Sequence, residues 1–476
     1  APERDSLSQN EHQNTSPGLL GTLRESLAGG ERDYTTETIR RAVILLAIPM
    51  VLEMTLESVF AVADVWYVSR LGVDAVAAVG LTEAMVTIIY AVAVGLSMST
   101  TAMVARRIGE KDPEGAADST VQAVGLGIVV AVVIAIPGAI FAPKLLSLMG
   151  GSPDLVAQGA GYTRIMLAGN VTIVLLFLLN AVFRGAGDAA LAMRVLWLAN
   201  GINLILDPCL IFGLGPFPEL GLTGAAIATT IGRGIGVLYQ LKLLFSGRGV
   251  VHVERRHLGL DGRVMWRLVR VSLGGIGQFL ISTSSWVILV KIVGGFGSVA
   301  VAGYTIAIRI IVFALMPSWG VSNAASTLVG QNLGAERPDR AEKSVWQVGF
   351  YNAGFLIAVA AVFILFARQL VGFFTDDPAV IEVGVQCLRL IAYGYPFYAF
   401  GMVMTQAFNG AGDTTTPTKI NFFCYWCFQL PLAWFLAHRA AMGAGGVFVA
   451  ILAAEIALTV TGILMFRRGA WKRKEI

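Results

Sequence analysis

The chain has 476 residues, 56% of them hydrophobic and only 14% charged. Soluble domains carry about 25% charged residues, so this composition, with a mean hydropathy of +0.71, excludes a soluble multidomain protein and places the chain among all-α polytopic membrane proteins. The formal charge of +4 is small and sits in loops without interleaved aromatics, which argues against a nucleic-acid partner.

Residues 1–40 are polar and lack the basic-then-apolar start of a signal peptide, so they read as a cytosolic tail. Within them Leu19, Leu20, Leu23 and Leu27 fall at helical spacing, which fits a short interfacial helix as well as a disordered tail. A spanning helix needs about 20 apolar residues. Twelve stretches qualify: 42–69, 75–104, 118–143, 157–183, 190–213, 221–246, 271–296, 300–329, 346–369, 381–408, 418–438 and 443–466. Several exceed the minimum and imply tilt or kinks. The basic segment 248–270 separates six from six. It gives an N-terminal lobe at 41–247, a C-terminal lobe at 271–470 and a short cytosolic tail at 471–476.

Loop charge predicts orientation. One set of loops holds Arg106, Arg107 and Lys111; Arg184 and Arg194; Arg248, Arg255, Arg256 and Arg263; Arg337, Arg340 and Lys343; and the tail residues Arg467, Arg468, Lys472, Arg473 and Lys474. The alternate loops hold little beyond Arg70 and Arg439, so both termini are expected in the cytoplasm.

The sequence also repeats. VARRIGEKDPEGA (104–116) parallels VGQNLGAERPDRA (329–341), and FRGAGD (183–188) parallels FNGAGD (408–413), each at an offset of 225. Arg164 and Arg389 share that offset, as do Gly72 and Gly297. One constant offset marks a duplication. An even number of passes per copy makes both copies enter from the same side, related by a pseudo-twofold axis along the membrane normal. Parallel-repeat transporters of this kind place their substrate path at the interface.

A carboxylate at the bilayer centre costs about 2.5–3.5 kcal/mol on insertion scales, so one inside a span needs a reason. The first span carries Glu53, Glu57 and Asp64. At about 100° per residue they project at about 0°, 40° and 20°, on one face. The fifth span adds Asn203 and Asp207, an i,i+4 pair followed by Pro208, which frees a backbone carbonyl. Asp64 precedes Arg70, and Asp207 precedes Gly213, by six residues each, so the two acids are expected at similar depth. Their hard oxygens suit protons or a small cation such as sodium, and close carboxylates in low dielectric titrate as a coupled set. Other intramembrane charges are Glu83, Arg233, Lys291, Arg309 and Glu455. Arg233 is placed to neutralise one first-span acid, and Lys291 to snorkel. In the repeat Glu53 maps to Gln278 and Glu57 to Ser282, so cation coupling is expected in the first half. Glu53, Glu57 and Gln278 are candidate substrate or proton groups. If the glutamates face a central cavity they attract lipophilic cations; if they face the first bundle they only balance Arg233. Pro49, beneath Glu53, offers a place for the first helix to bend.

Enzymatic chemistry is not expected. The histidines, His12, His252, His257 and His438, lie outside the predicted span cores, and no metal-ligand or nucleophile motif occurs. No cofactor is implied beyond a coupling proton or sodium ion. Cys209, Cys387, Cys424 and Cys427 all fall in apolar stretches, and Cys424-x-x-Cys427 lacks the βαβ context of a redox pair.

Pro49 followed by VADVWYVSRLG (62–72), the RRIGEKD loop, FRGAGDA, NGINLILDPCLIFG (201–214), GLTGAAIAT (221–229) and the echo FNGAGDT together resemble the multidrug and toxic compound extrusion (MATE) family, over roughly residues 40–470. The resemblance implies two six-helix lobes in a V shape and cation-driven export of organic, often cationic, molecules. The family's first-lobe cation site maps onto Asp64, Asn203, Asp207 and Thr229, and Pro49 onto a bending proline. The chain departs from branches with an acid in the seventh helix, where Ser282 stands, and another in the tenth. The expected partners are the bilayer and small organic cations. A monomer in the plasma membrane is expected, working by alternating access. The alternative is a flippase for lipid-linked oligosaccharide, whose usual basic cavity the first-lobe acids oppose.

Overall fold

The computed structural model describes residues 19–30, 32–247 and 249–476. His12 and Arg248 lie outside them. Helix starts are set locally. Asp112, Ser152, Asp188, Asp261 and Asp377 each accept a backbone N–H from the first turn. After Asp112, Ser152 and Asp377 comes a proline, whose missing N–H costs nothing at that position.

Helix α1 (Leu19–Ala28) lies against α2 and α7, with Thr22 and Ser26 inward and Leu27 outward. The first unit is α2 (Ile39–Ser69), α3 (Val73–Gly109), α4 (Pro113–Leu148), α5 (Pro153–Ala168), α6 (Asn170–Ala186), α7 (Ala189–Phe212) and α8 (Leu222–Ser246). Helices α5 and α6 form one pass bent by 40° at Gly169. The second unit is α9 (Gly262–Gly294), α10 (Ser298–Gly334), α11 (Pro338–Gly372), α12 (Pro378–Tyr393), α13 (Tyr395–Gly410), α14 (Thr415–Asn421), α15 (Leu430–Trp434) and α16 (Ala444–Arg467). The π-helical stretch Phe422–Gln429 joins α14 to α15, and a second, Phe435–Arg439, extends α15, so that all four make one pass. Helix begins at Gly262, so the end of the segment read as a linker already belongs to α9. Among the described residues nine helical stretches are long and apolar enough to cross a membrane, ten with the bent α5–α6 pair. By that measure α8 and the α12–α13 pair fall short of the twelve expected.

The duplication is structural. Helices α3, α4, α5 and α6 start at residues 73, 113, 153 and 170, and α10, α11, α12 and α13 start 225 residues later at 298, 338, 378 and 395. Side-chain details recur as well: Arg164 Nε donates to the Ala139 carbonyl at 3.2 Å, and Arg389 Nε to that of Ile364 at 3.2 Å. Large apolar side chains stand exposed on α4 (Val133, Ile136, Ile140) and α11 (Phe350, Ile357, Leu365), as lipid-facing surfaces require. All four cysteines are free.

The two units meet along α2, α3, α9 and α10. Small residues let the backbones touch. A Cβ at Gly109 would stand 2.0 Å from the Gln331 carbonyl oxygen, and one at Gly334 would stand 2.1 Å from that of Arg106. Residues 106 and 331 are themselves repeat mates, so this is one contact made twice about the pseudo-twofold axis. Gly95 and Gly320 form a second such pair: a Cβ there would stand 2.8 Å from the Ile276 nitrogen and 2.7 Å from that of its repeat mate Val51. Thr327 Oγ1 donates to the Arg184 carbonyl at 3.0 Å, Gln331 Nε2 to that of Gly185 at 3.0 Å, and Ser99 and Ser272 hydroxyls bond at 2.8 Å. Arg337 donates to the Thr35 carbonyl at 2.7 Å, and Arg340 to those of Tyr34 and Glu37. The units are therefore sealed at the end that carries the basic loops. Past Glu57, α2 exposes Val59, Val62, Val65 and Trp66.

Candidate functional site

Helix α2 brings its three acids to the first unit's interior as one face, in agreement with their spacing. Each meets a partner from α6 or α7. Glu53, 1% exposed, accepts from Arg184 Nη1 at 3.3 Å. Glu57 Oε2 accepts from Asn200 Nδ2 at 2.8 Å. The Asp64 carboxyl lies within hydrogen-bond reach of Asp207. The expected pairing with Arg233 is thus corrected for Glu53: its partner is Arg184, which closes the last turn of α6 rather than standing in a loop. Arg233 of α8 instead donates to the Tyr90 hydroxyl of α3 at 3.1 Å, within electrostatic range of Asp64 and Glu57.

Asn203 organises the outer part of the site. Its Nδ2 donates to Asp207 Oδ1 at 3.2 Å and to Thr229 Oγ1 of α8 at 3.1 Å. Asp64, Asn203, Asp207 and Thr229 therefore stand together on α2, α7 and α8. Asp207 is 1% exposed. Asp64 Oδ1 and Asp207 Oδ2 are both buried and have no hydrogen-bond donor. Two carboxylates only accept, so facing each other they lack what each needs. One shared proton, or one small hard cation among these oxygens, satisfies both.

Other expected residues fall elsewhere. Gln278 is buried in the second unit, where its Nε2 donates to Asn409 Oδ1 and to the Thr414 carbonyl, each at 3.0 Å. Gln278 and Asn409 are the repeat mates of Glu53 and Arg184, so the first unit's ion pair is an amide pair in the second. Glu83, Lys291 and Arg309 are exposed. Pro49 is buried within α2, which runs through it without a break. Sequence reasoning missed Asn200, whose place three residues before Asn203 on the same polar stripe was the available signal. It also missed Tyr90, for which an aromatic in an apolar helix gave none.

The MatE family model matches the chain twice, at residues 49–209 and 276–435, once in each unit. The chain belongs to the MatE family. As a MATE-family protein it is a membrane transporter and not an enzyme. A probable multidrug resistance protein NorM of Thermotoga maritima is 27% identical to it over 443 residues, 92% of this chain and 94% of the relative. A probable multidrug resistance protein YoeA of Bacillus subtilis is 26% identical over 445 residues, 92% and 96% of the two chains. A solved structure described as the outward-facing conformation of a multidrug resistance MATE family transporter superposes with a TM-score of 0.86 at 28% identity, covering 94% of this chain and 98% of that one.

Proposed function

We propose that this MATE transporter is a cation-coupled antiporter that exports organic cations by alternating access. It crosses the plasma membrane twelve times as a monomer, with both termini cytoplasmic. The observation that carries the coupling is the Asp64–Asp207 pair, whose inner oxygens lack donors beside Asn203 and Thr229. The coupling ion is a proton, with sodium next, since coupled carboxyls that share a proton release it when separated. On this reading the seal at the basic-loop end makes the structure outward-facing, in keeping with the multidrug MATE structure it resembles. The acids of α2 and α7 outnumber Arg184 and Arg233, and the surplus negative charge favours cationic drugs over anions. Glu53 is paired with Arg184, and Glu57, half-buried, is held by the Asn200 amide within electrostatic range of Arg233.

The deciding measurement is gradient-driven efflux from vesicles. Asp207→Asn should abolish it while folding and insertion persist, and wild-type efflux would sink the assignment. A pH gradient without sodium should drive transport; strict dependence on sodium would reverse the choice of ion.

A further inference from the structure

Glu455 has no place in the scheme above. It stands near the middle of α16, 5% exposed, in the second unit. A carboxyl at that depth is costly and calls for compensation. Among the described residues no Arg, Lys or His pairs with it. Tyr425 donates to its Oε1 at 3.0 Å, and Tyr398 of α13 lies within electrostatic range of it. The other titratable group facing it is Cys424. Lys291, Arg389, Lys419, His438 and Arg439, on the neighbouring elements, are all exposed.

Three further observations single this place out. First, α8 follows Gly221 and α16 follows Gly443, and Gly224 and Gly446 both press their helix onto the preceding pass: a Cβ there would stand 2.3 Å from the Leu210 oxygen and 2.6 Å from the Leu436 carbonyl carbon. In that alignment Glu455 occupies the position of Arg233, so the charge at one equivalent point is reversed between units. Second, Tyr425 lies 225 residues after Asn200, so the same position on equivalent helices supplies the carboxylate's donor in both units. In the second unit that donor sits in the π-helical stretch Phe422–Gln429, a geometry frequent at functional sites. Third, the hydroxyls of Tyr304 and Tyr395 are buried without partners, and both lie within electrostatic range of Tyr398.

We propose that Glu455, held by Tyr425, is a second proton-binding site, in the second unit, that loads and unloads independently of Asp64 and Asp207. The carboxylate takes up one proton and later returns it; no other bond changes. The site stands whichever ion the first unit carries.

The test is infrared difference spectroscopy of the reconstituted full chain during a pH titration, following the protonated-carboxyl band. In Asp64→Asn/Asp207→Asn a titrating band should survive, and adding Glu455→Gln should remove it. Tyr425→Phe should keep that band and move its midpoint to higher pH, since a donor to the carboxylate is lost. Identical spectra with and without Glu455→Gln, or a Glu455 band that does not titrate across the neutral range, overturn the proposal. If Glu455→Gln does not fold, the Tyr425→Phe midpoint decides, and an unmoved midpoint overturns it. Efflux that survives Asp207→Asn would remove the first-unit assignment and leave this band in place, so the two failures are distinguishable.

Discussion

Asp64 and Asp207 face each other in the first unit; 225 residues later stand Leu289 and Leu432, both in the second unit's apolar core. Glu53 and Arg184 form a buried ion pair; their mates Gln278 and Asn409 form a neutral amide pair. Helix starts, the breaks at Gly169 and Gly394 and the arginine braces are shared. The duplication thus conserves a scaffold that works with either chemistry. Where the first unit sets Asp64 and Asp207, the second displays an apolar alternative.

The strongest way to break this contrast is to copy the second unit into the first. Asp64→Leu/Asp207→Leu should reduce gradient-driven efflux to background. Its thermal unfolding should be unchanged or stabilised by about 1–4 kcal/mol, as when buried charged groups give way to packed hydrophobes. Retained efflux would show that the pair is not what distinguishes the units. Next in size is Arg184→Ala, which leaves Glu53 buried and unpaired and should cost about 3–5 kcal/mol in detergent melts. Glu53→Gln/Arg184→Asn, the second unit's own solution, should recover most of that loss; an equally unstable double variant would mean that the amide pair is not transferable.

Smaller effects probe the seam. Gly320→Ala places a Cβ 2.6 Å from the Met50 oxygen and should force α2 and α10 apart, at about 1–3 kcal/mol. Labelling of a cysteine introduced near Thr327 should then rise; unchanged labelling would mean that the contact yields elsewhere. Pro49→Ala restores one hydrogen bond to α2 and should slow turnover more than it weakens drug binding, as comparison of transport rates with binding titrations will show. The smallest effect lies outside the membrane. Burial raises the Asp33 carboxyl, but hydrogen bonds from Lys111 Nζ, at 2.6 Å, and from Thr35 outweigh it and hold it at about 2. A depressed carboxyl contributes stability above its unfolded value that disappears as pH falls through about 2. Hydrogen exchange of residues 33–37 should therefore stay slow in mild acid and quicken only near that value.

Much of this was legible in the sequence because its signals are periodic. Apolar length set nine or ten of the twelve expected passes, the 225-residue offset set the symmetry, and three acids at helical spacing set one face. Asn203 beside Asp207 was visible for the same reason. The pairings were less legible. Arg184 stood next to Gly185 and Gly187 and read as loop, whereas the helix runs one turn further and buries it. Glu53's partner depends on where α6 ends against α2, a long-range packing outcome that no local pattern carries. Arg263, Arg267 and Arg270 are charged yet helical, so charge alone does not mark where the basic segment 248–270 passes into α9.

The glycines along the seam have a mechanical meaning. An interface of interlocked leucines must unlock its rotamers before it parts, and it then shows water a greasy surface. Here peptide groups rest on peptide groups at Gly95, Gly109, Gly320 and Gly334. Glycine has no side-chain freedom to lose or regain, so separation carries no rotamer cost there. The exposed carbonyls of Arg106, Gln331, Met50 and Ser272 accept hydrogen bonds from water as soon as it enters. Such a joint is a low-friction bearing: it holds by close fit rather than by interlocked side chains, and its bare peptide groups would wet readily on separation.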